Sequence, residues 1–299
     1  MLTANAIERM ALIGFGEAGG ILGKDLAAAG VAVSAYDLLL KSPSARDAML
    51  SKMRQAGVRA CESAVEAVTG AQVVLSAVTA SSAPDVVHEL APVLKQGQIF
   101  MDMNSVSPNT KRGEAAIIEA SGVDFVESAV MAPVPPQRIK VPMLLGGKAA
   151  ADLAPRLRAI GMDTTAVSDR IGVASAIKMC RSVIIKGLEA LVTESMLAAR
   201  RYGAEEAVLS SVAATFPQMK WCTDLPEYLV SRVAQHGKRR AEEMREVAQA
   251  LRDVDVVPFM ATATAERQDW LVHAMAEKHI VYQPDEPFSW RALFDRLAE

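Results

Sequence analysis

The chain has little of what marks several large functional classes. Its 299 residues hold three cysteines, Cys61, Cys180 and Cys222, which are odd in number and far apart. That pattern fits reduced thiols in a cytoplasm rather than a disulfide framework. The four histidines, His88, His236, His273 and His279, have no ligand spacing with one another or with the cysteines, so no metal site is expected. A formal net charge of −3 gives no electrostatic reason to expect nucleic acid or an acidic membrane surface. No apolar run reaches the ~18 residues that would span a bilayer. The opening "MLTANAIERM" places Glu8 and Arg9 directly before the first apolar run and does not read as a signal peptide. Internal repeats and low-complexity tracts are also lacking.

What is present is ordinary globular material, 51% hydrophobic and 22% charged, enough for one large domain or two medium ones. Short apolar runs alternate with helix-length segments through the first half. "MALIGF" (10–15), "VAVSAY" (31–36), "QVVLSAV" (72–78), "QIFMDM" (98–103) and "VDFVES" (123–128) read as strands. They are continuous rather than alternating runs, as expected of parallel strands covered by helices on both faces. The βαβα order predicts a doubly wound α/β Rossmann domain with a mostly parallel sheet, over residues 1–167.

Around Ser168 the texture changes. Residues 172–201 contain no proline, and Ile177, Val183, Ile184, Leu188, Leu191 and Leu197 recur at helical intervals. A helix of that length would run roughly 45 Å. Further helices are expected at 204–215, 226–253, 259–278 and 287–298, with a loop rich in breakers between Phe216 and Pro226. The expectation for 168–299 is therefore an all-α domain, joined to the first by the long helix. That helix is apolar around most of its circumference and must bury surface on several sides, which predicts a homodimer formed through this domain.

The sharpest motif is "GFGEAG", residues 14–19, placed straight after the first strand and at a helix start. Gly14, Gly16 and Gly19 are spaced G-x-G-x-x-G: the first permits the turn, the second admits a pyrophosphate, and the third lets helix and strand pack closely. The helix N-terminus then offers free N–H groups and the positive end of its dipole. Asp37 ends the second strand, where a carboxylate accepts hydrogen bonds from an adenosine ribose. The same carboxylate repels a 2′-phosphate, favouring NAD over NADP. Lys41 and Arg46 keep NADP open, although they read more readily as a solvated helix surface.

With these features in register, the order of motifs resembles that of the β-hydroxyacid dehydrogenases, the family of 3-hydroxyisobutyrate and 6-phosphogluconate dehydrogenases, and most nearly a phosphogluconate-dehydrogenase-like branch. The resemblance spans nearly the whole chain. It is carried by the glycine loop, "DMNSVSP" (102–108), "FVESAVMAP" (125–133) and "GVASAIKMCRS" (172–182). It implies a cleft between the two domains for a small-molecule substrate, and again a dimer. Cofactor contacts would come from Gly14, Phe15, Gly16, Glu17, Ala18, Gly19, Asp37, Val78, Thr79 and Asn104. A basic residue near Lys238–Arg239–Arg240, taken as Arg240, would close over the cofactor, though a charge run on a helix is usually a solvated face. Asn104 and Ser105 would meet substrate and the nicotinamide end; an Asx-type turn with Ser107 capping the next helix is the plainer reading, compatible with that role.

Lys178 matches the catalytic lysine that the resemblance implies. The residues alone leave it evenly divided between that role and a surface lysine. Its apolar neighbours Val173, Ala176, Ile177 and Met179 would disfavour the ammonium form and bring it toward the range of a general acid–base. Arg181 and Ser182 follow at helical spacing and would meet substrate, with Arg181 able to pair with a carboxylate. Glu194 matches an acidic position of the family, with a structural rather than catalytic role.

Three departures from the family pattern bear on chemistry. The Ser-Gly-Gly that cradles a substrate carboxylate is replaced by Met131-Ala132-Pro133, and proline has no N–H to offer; Met131 stays a candidate substrate contact. The polar pair after the lysine is Arg181-Ser182. The glutamate seven residues after the lysine, which completes an oxidative decarboxylation in 6-phosphogluconate dehydrogenase, is Ile185. The expected activity is hydride transfer between NAD(P) and a small 3-hydroxy acid or a relative, without loss of carbon dioxide. Two other readings stand beside it: an imine reductase, whose kind lacks the lysine, and a nucleotide-binding sensor without turnover.

Overall fold

The computed structural model describes residues 6–299; the part of the N-terminal reading that falls on Met1–Asn5 lies outside the described residues. Two compact units result, one ending at Lys178 and the other running from Met179 to Glu299.

The first unit is one eight-stranded sheet with helices. In chain order its elements are β1 (Arg9–Ile13), α1 (Glu17–Ala28), β2 (Ala32–Tyr36), α2 (Arg46–Gln55), β3 (Arg59–Ala60), α3 (Ala64–Val68), β4 (Val73–Ser76), α4 (Ala83–Leu90), β5 (Ile99–Asp102), α5 (Pro108–Glu119), β6 (Asp124–Val130), α6 (Val134–Gln137), β7 (Pro142–Gly146), α7 (Ala150–Ala159) and β8 (Asp163–Ser168). The strand order is β3-β2-β1-β4-β5-β6-β7-β8, parallel except for the antiparallel pair β6–β7. The expected mostly parallel, doubly wound sheet is thus present. β1, β4 and β5 are buried on both faces almost throughout, and their side chains form one core with those of the covering helices. Phe100 and Phe125 stack in it with ring centroids 5.8 Å apart.

Three strands were not expected. β3 has only two residues; β7 opens on a proline and closes on Gly146, with Gly147 next; β8 carries Asp163, Thr164, Thr165 and Ser168, with most of its residues not buried. These lie toward the edges of the sheet, where burial on both faces is not required and the continuous apolar run disappears.

The topology sets the functional edge. The chain runs outward from β1 to β2 and β3, then returns to start β4 on the other side of β1. Between the carboxyl ends of β1 and β4 lies the switch point, the crevice in which open α/β sheets bind ligands.

α8 (Val173–Tyr202) opens in the first unit and continues into the second, which is completed by α9 (Glu205–Thr215), α10 (Asp224–Arg252), α11 (Phe259–Glu277) and α12 (Trp290–Ala298). These follow the expected helices closely, and among the described residues the second unit contains no strand. Its largest core gathers Met196, Leu229, Val233, Leu271, Trp290 and Phe294. No described helix is long and apolar enough to cross a membrane.

Candidate functional site

The site begins at the carboxyl end of β1. Gly14 has φ +93°, and a Cβ placed there would lie 2.3 Å from the carbonyl oxygen of Ala77, in the segment that follows β4. A Cβ at Gly19 would lie 2.2 Å from the carbonyl oxygen of Gly14, so α1 could not pack onto the loop with any larger residue. At Gly16 a Cβ would meet nothing within 4 Å. That open face is where a pyrophosphate can approach the backbone. No side chain caps the N-terminus of α1, in contrast to α5, which Ser107 caps by accepting from Thr110 N–H at 3.2 Å. The first turn of α1, including Glu17 and Ala18, thus keeps its donors directed at the crevice.

Asp37 ties this loop to β2. One carboxylate oxygen accepts from Phe15 N–H at 2.6 Å and the other from Leu39 N–H at 2.9 Å. A carboxylate has about four acceptor positions, so ribose hydroxyls can still be received beside these bonds. Lys52 acts on the opposite polarity: its ammonium donates to the carbonyls of Phe15 and Gly16 at 2.7 and 2.6 Å. Reading the sequence did not single out Lys52, because nothing in "RDAMLSKMRQ" separates it from the other charges of α2. Of the two cations weighed as phosphate partners, Arg46 is engaged and Lys41 is exposed. Arg46 bonds Glu62 and the carbonyl of Leu40, and Lys41 lies 5.8 Å from the Tyr36 ring centroid.

The second part of the site follows β4 and β5. The Asn104 side chain accepts from Val78 N–H at 2.8 Å and donates to Ser76 Oγ at 2.9 Å, joining the ends of two strands. Val78 and Asn104 are therefore brought together, with Thr79 next along the chain, where its hydroxyl shares hydrogen bonds with those of Ser81 and Ser82. Beneath Asn104 lies a buried group that was also missed. Lys111 pairs with Asp102, and Asp102 Oδ1 accepts from Asn104 N–H at 2.9 Å. Glu114, one turn further along α5, is buried, and burial followed by the nearby Asp102 charge raises its carboxyl to about 8.

The third part is the start of α8. The Ser105 hydroxyl receives a hydrogen bond from Lys178 Nζ at 2.6 Å. The helix that carries Lys178 is held by Glu127 on β6, which is fully buried. Its Oε1 accepts from Gly172 and Ala174 N–H at 2.7 and 3.0 Å, and its Oε2 from Ser175 N–H at 3.2 Å. A carboxylate at a helix N-terminus satisfies orphan donors and meets the positive dipole end. Gly146 leaves the room it needs, since a Cβ there would stand 2.5 Å from Glu127 Oε1.

The segment that replaces Ser-Gly-Gly offers little backbone to an anion. Met131 N–H is taken by the carbonyl of Pro142 at 2.9 Å and Pro133 has no N–H, which leaves only Ala132. In the second unit Arg181 is exposed and Ser182 buried. The guanidinium of Arg240 is engaged within the same unit, donating through two nitrogens to the buried carboxylate of Glu189. Glu194 pairs with Arg267 at 2.5 Å.

Glycine loop, acid at the end of β2, switch-point crevice and helical second unit define a nicotinamide-dinucleotide-dependent oxidoreductase class. The comparisons name the particular family. Residues 9–168 match the NAD binding domain of 6-phosphogluconate dehydrogenase, and residues 199–271 match a domain of unknown function, DUF1932. The chain belongs to the β-hydroxyacid dehydrogenase family and is an NAD(P)-dependent, hydroxyacid dehydrogenase-like oxidoreductase. Over 223 residues it is 26% identical to 3-hydroxyisobutyrate dehydrogenase of Pseudomonas aeruginosa, covering 72% of each protein. A conserved hypothetical protein of Sinorhizobium meliloti is 36% identical in its crystal structure, with TM-score 0.80 and coverage of 100% of this chain and 98% of that one. The 3-hydroxyisobutyrate dehydrogenase of Mycobacterium tuberculosis shares the fold at 16% identity, TM-score 0.76, with 98% and 100% covered.

Proposed function

We propose that this protein transfers hydride between NAD and the hydroxyl-bearing carbon of a small 3-hydroxy acid, without decarboxylation, and that Lys178 moves the proton. The observation that carries the reading is the Lys178–Ser105 contact: an ammonium in the helical start after β8 meets a hydroxyl on the loop after β5. Bound nicotinamide would supply the hydride acceptor or donor. In oxidation Lys178 Nζ, in its neutral form, takes the hydroxyl proton; in reduction its ammonium donates to the forming alkoxide. Ser105 fixes the Nζ position, Asn104 fixes the segment at Val78, and Glu127 fixes the start of α8.

Asp37 supports a preference for NAD, as does the engagement of Arg46 with Glu62 and the Leu40 carbonyl. Ile185, seven residues beyond Lys178, supports hydride transfer without carbon dioxide loss, because no acid stands there to protonate a carbanion. The exposed apolar residues Ile184, Leu191 and Tyr202 of α8 support a homodimer through the second unit. The three unpaired thiols fit a cytoplasmic setting.

The test is a screen of hydroxy acids with NAD and NADP, read at the absorbance of the reduced nicotinamide. On the substrate found, Lys178→Met should lower turnover by roughly 10²–10⁴ while cofactor affinity stays intact, the loss expected for a positioned general acid–base. Near-normal turnover in Lys178→Met would assign proton transfer elsewhere. Reduction of imines with no activity on any hydroxy acid would replace the reading by the imine-reductase one.

A further inference from the structure

Three ionisable side chains lie in the interior beneath the loop after β5. Asp102 and Lys111 are each 1% exposed, and Glu114 is 3% exposed. Lys111 Nζ pairs with Asp102 Oδ2 and also donates to the Asp102 carbonyl at 3.1 Å. Asp102 Oδ1 is left for Asn104 N–H. Both oxygens of Glu114 are buried without a donor, beside the Asp102 carboxylate. Two carboxylates accept only and cannot bond each other; one proton turns Glu114 into a donor to Asp102. With its carboxyl raised to about 8, Glu114 is the neutral acid of the cluster at neutral pH. Above that pH Glu114 brings a further negative charge beside Asp102, out of reach of water.

Stability alone is a weak reason for such a cluster, because apolar replacements of a buried ion pair are often as stable or more so. Directional bonds are what it provides. From Asp102 they run to Asn104 N–H, from the Asn104 side chain to Ser76 and Val78, and from the adjoining Ser105 to Lys178. We propose that Asp102, Lys111 and Glu114 are positioning residues that hold the Asn104–Ser105 turn in register with Val78 and with the Lys178 ammonium. The catalytic consequence rests on the reading of Lys178 given above; the hold on the turn does not. The charged groups that act on Glu114 are Asp102 from β5 and Lys111 from its own helix.

The experiment follows amide exchange in the intact chain without substrate, between pH 6 and 9.5, for the wild type and Glu114→Gln. In the wild type, protection factors at Asn104 and Val78 should fall about tenfold above pH 8, the effect of one pK unit of differential interaction. Those of Leu12 and Phe100, in the same sheet, should stay level. Glu114→Gln donates to Asp102 through an amide that does not titrate, so its protection should stay flat. On an identified substrate, Lys111→Met should lower kcat about tenfold or more, a larger change than in KM or NADH affinity, since misplacement of a catalytic group is felt mainly in turnover. Level wild-type protection across the range, or an equal fall in Glu114→Gln, overturns the proposal. So does an unchanged kcat in a folded Lys111→Met. Should the pH-dependent loosening appear in a protein that oxidises no hydroxy acid, the dehydrogenase reading fails and the hold on the turn stands.

Discussion

Glu127→Gln exchanges one oxygen of a buried carboxylate for an amide nitrogen at nearly constant volume. Three backbone donors at the start of α8 depend on that carboxylate, two on Oε1 and one on Oε2. Glutamine can keep its carbonyl toward Gly172 and Ala174, but it then presents N–H to the N–H of Ser175. The charge opposite the helix dipole is lost as well, a contribution of about 0.3–1 kcal/mol or more when buried. With one unsatisfied buried donor at about 1–3 kcal/mol, Glu127→Gln should cost roughly 2 kcal/mol. Glu127→Ala strands all three donors and should cost about 3–5 kcal/mol after partial rehydration.

The assay can be made local. All three tryptophans, Trp221, Trp270 and Trp290, lie in the second unit, so urea unfolding followed by their fluorescence reports that unit. Amide exchange in β4, β5 and β6 reports the first. The loss from Glu127→Gln should appear in the exchange and leave the fluorescence midpoint close to that of the wild type. Glu127→Asp separates geometry from charge: it keeps the carboxylate but withdraws it by one methylene, ~1.5 Å by bond geometry. Its stability should change less than that of Glu127→Ala, while turnover on an identified substrate should fall by up to about 10²-fold, because Lys178 is carried on the displaced turn. Wild-type exchange in Glu127→Gln, with full turnover in Glu127→Asp, would refute the reasoning.

The other expectations concern cofactor, substrate and pH. Asp37→Ala should weaken NAD binding and shrink the preference over NADP, as read by fluorescence titration of the reduced cofactors; tighter NADP binding by the unaltered protein would contradict the role given to Asp37. Arg181→Ala should raise KM by about the worth of a charge-assisted hydrogen bond, ~1.5–3 kcal/mol, with kcat little changed; an unmoved KM would send the search for the carboxylate anchor to the segment from Met131 to Arg138. In the second unit, burial followed by Arg232, Arg239 and Arg240 lowers His236 from 6.5 to about 4, with Glu243 opposing. The folded state therefore binds fewer protons than the unfolded one in that interval, and stability present above pH 6.5 is lost as pH falls toward 4. His236→Gln should flatten this slope in the tryptophan-monitored midpoint, and an equal slope in both proteins would count against it.

How much of this was legible depends on where the information lies along the chain. β1, β4 and β5 announce themselves because burial on both faces forces unbroken apolar runs, and α8 because a long proline-free segment keeps a helical period. The weaker strands do not. β8 is mostly polar, and β7 is framed by residues that normally signal turns, so their pairing is settled by neighbours rather than by their own composition.

The same distinction divides the candidate site. The glycine loop is local: its spacing states its shape, and the close approaches at Gly14 and Gly19 are what that spacing requires. Glu127 is not local. Its three donors lie 45 to 48 residues away, and within "FVESAVMAP" it reads as one more polar residue at the end of a strand. Lys111 and Glu114 mislead outright, because in "PNTKRGEAAIIE" they look like the solvated charges of an amphipathic helix. Only the sheet shows that this face of α5 is turned inward against Asp102. Chemistry at a switch point draws on the ends of several strands, so the groups that hold those ends in register are necessarily distant in sequence. A buried carboxylate with a backbone partner in the loop above it is therefore a better guide to such holding groups than any run of neighbouring residues.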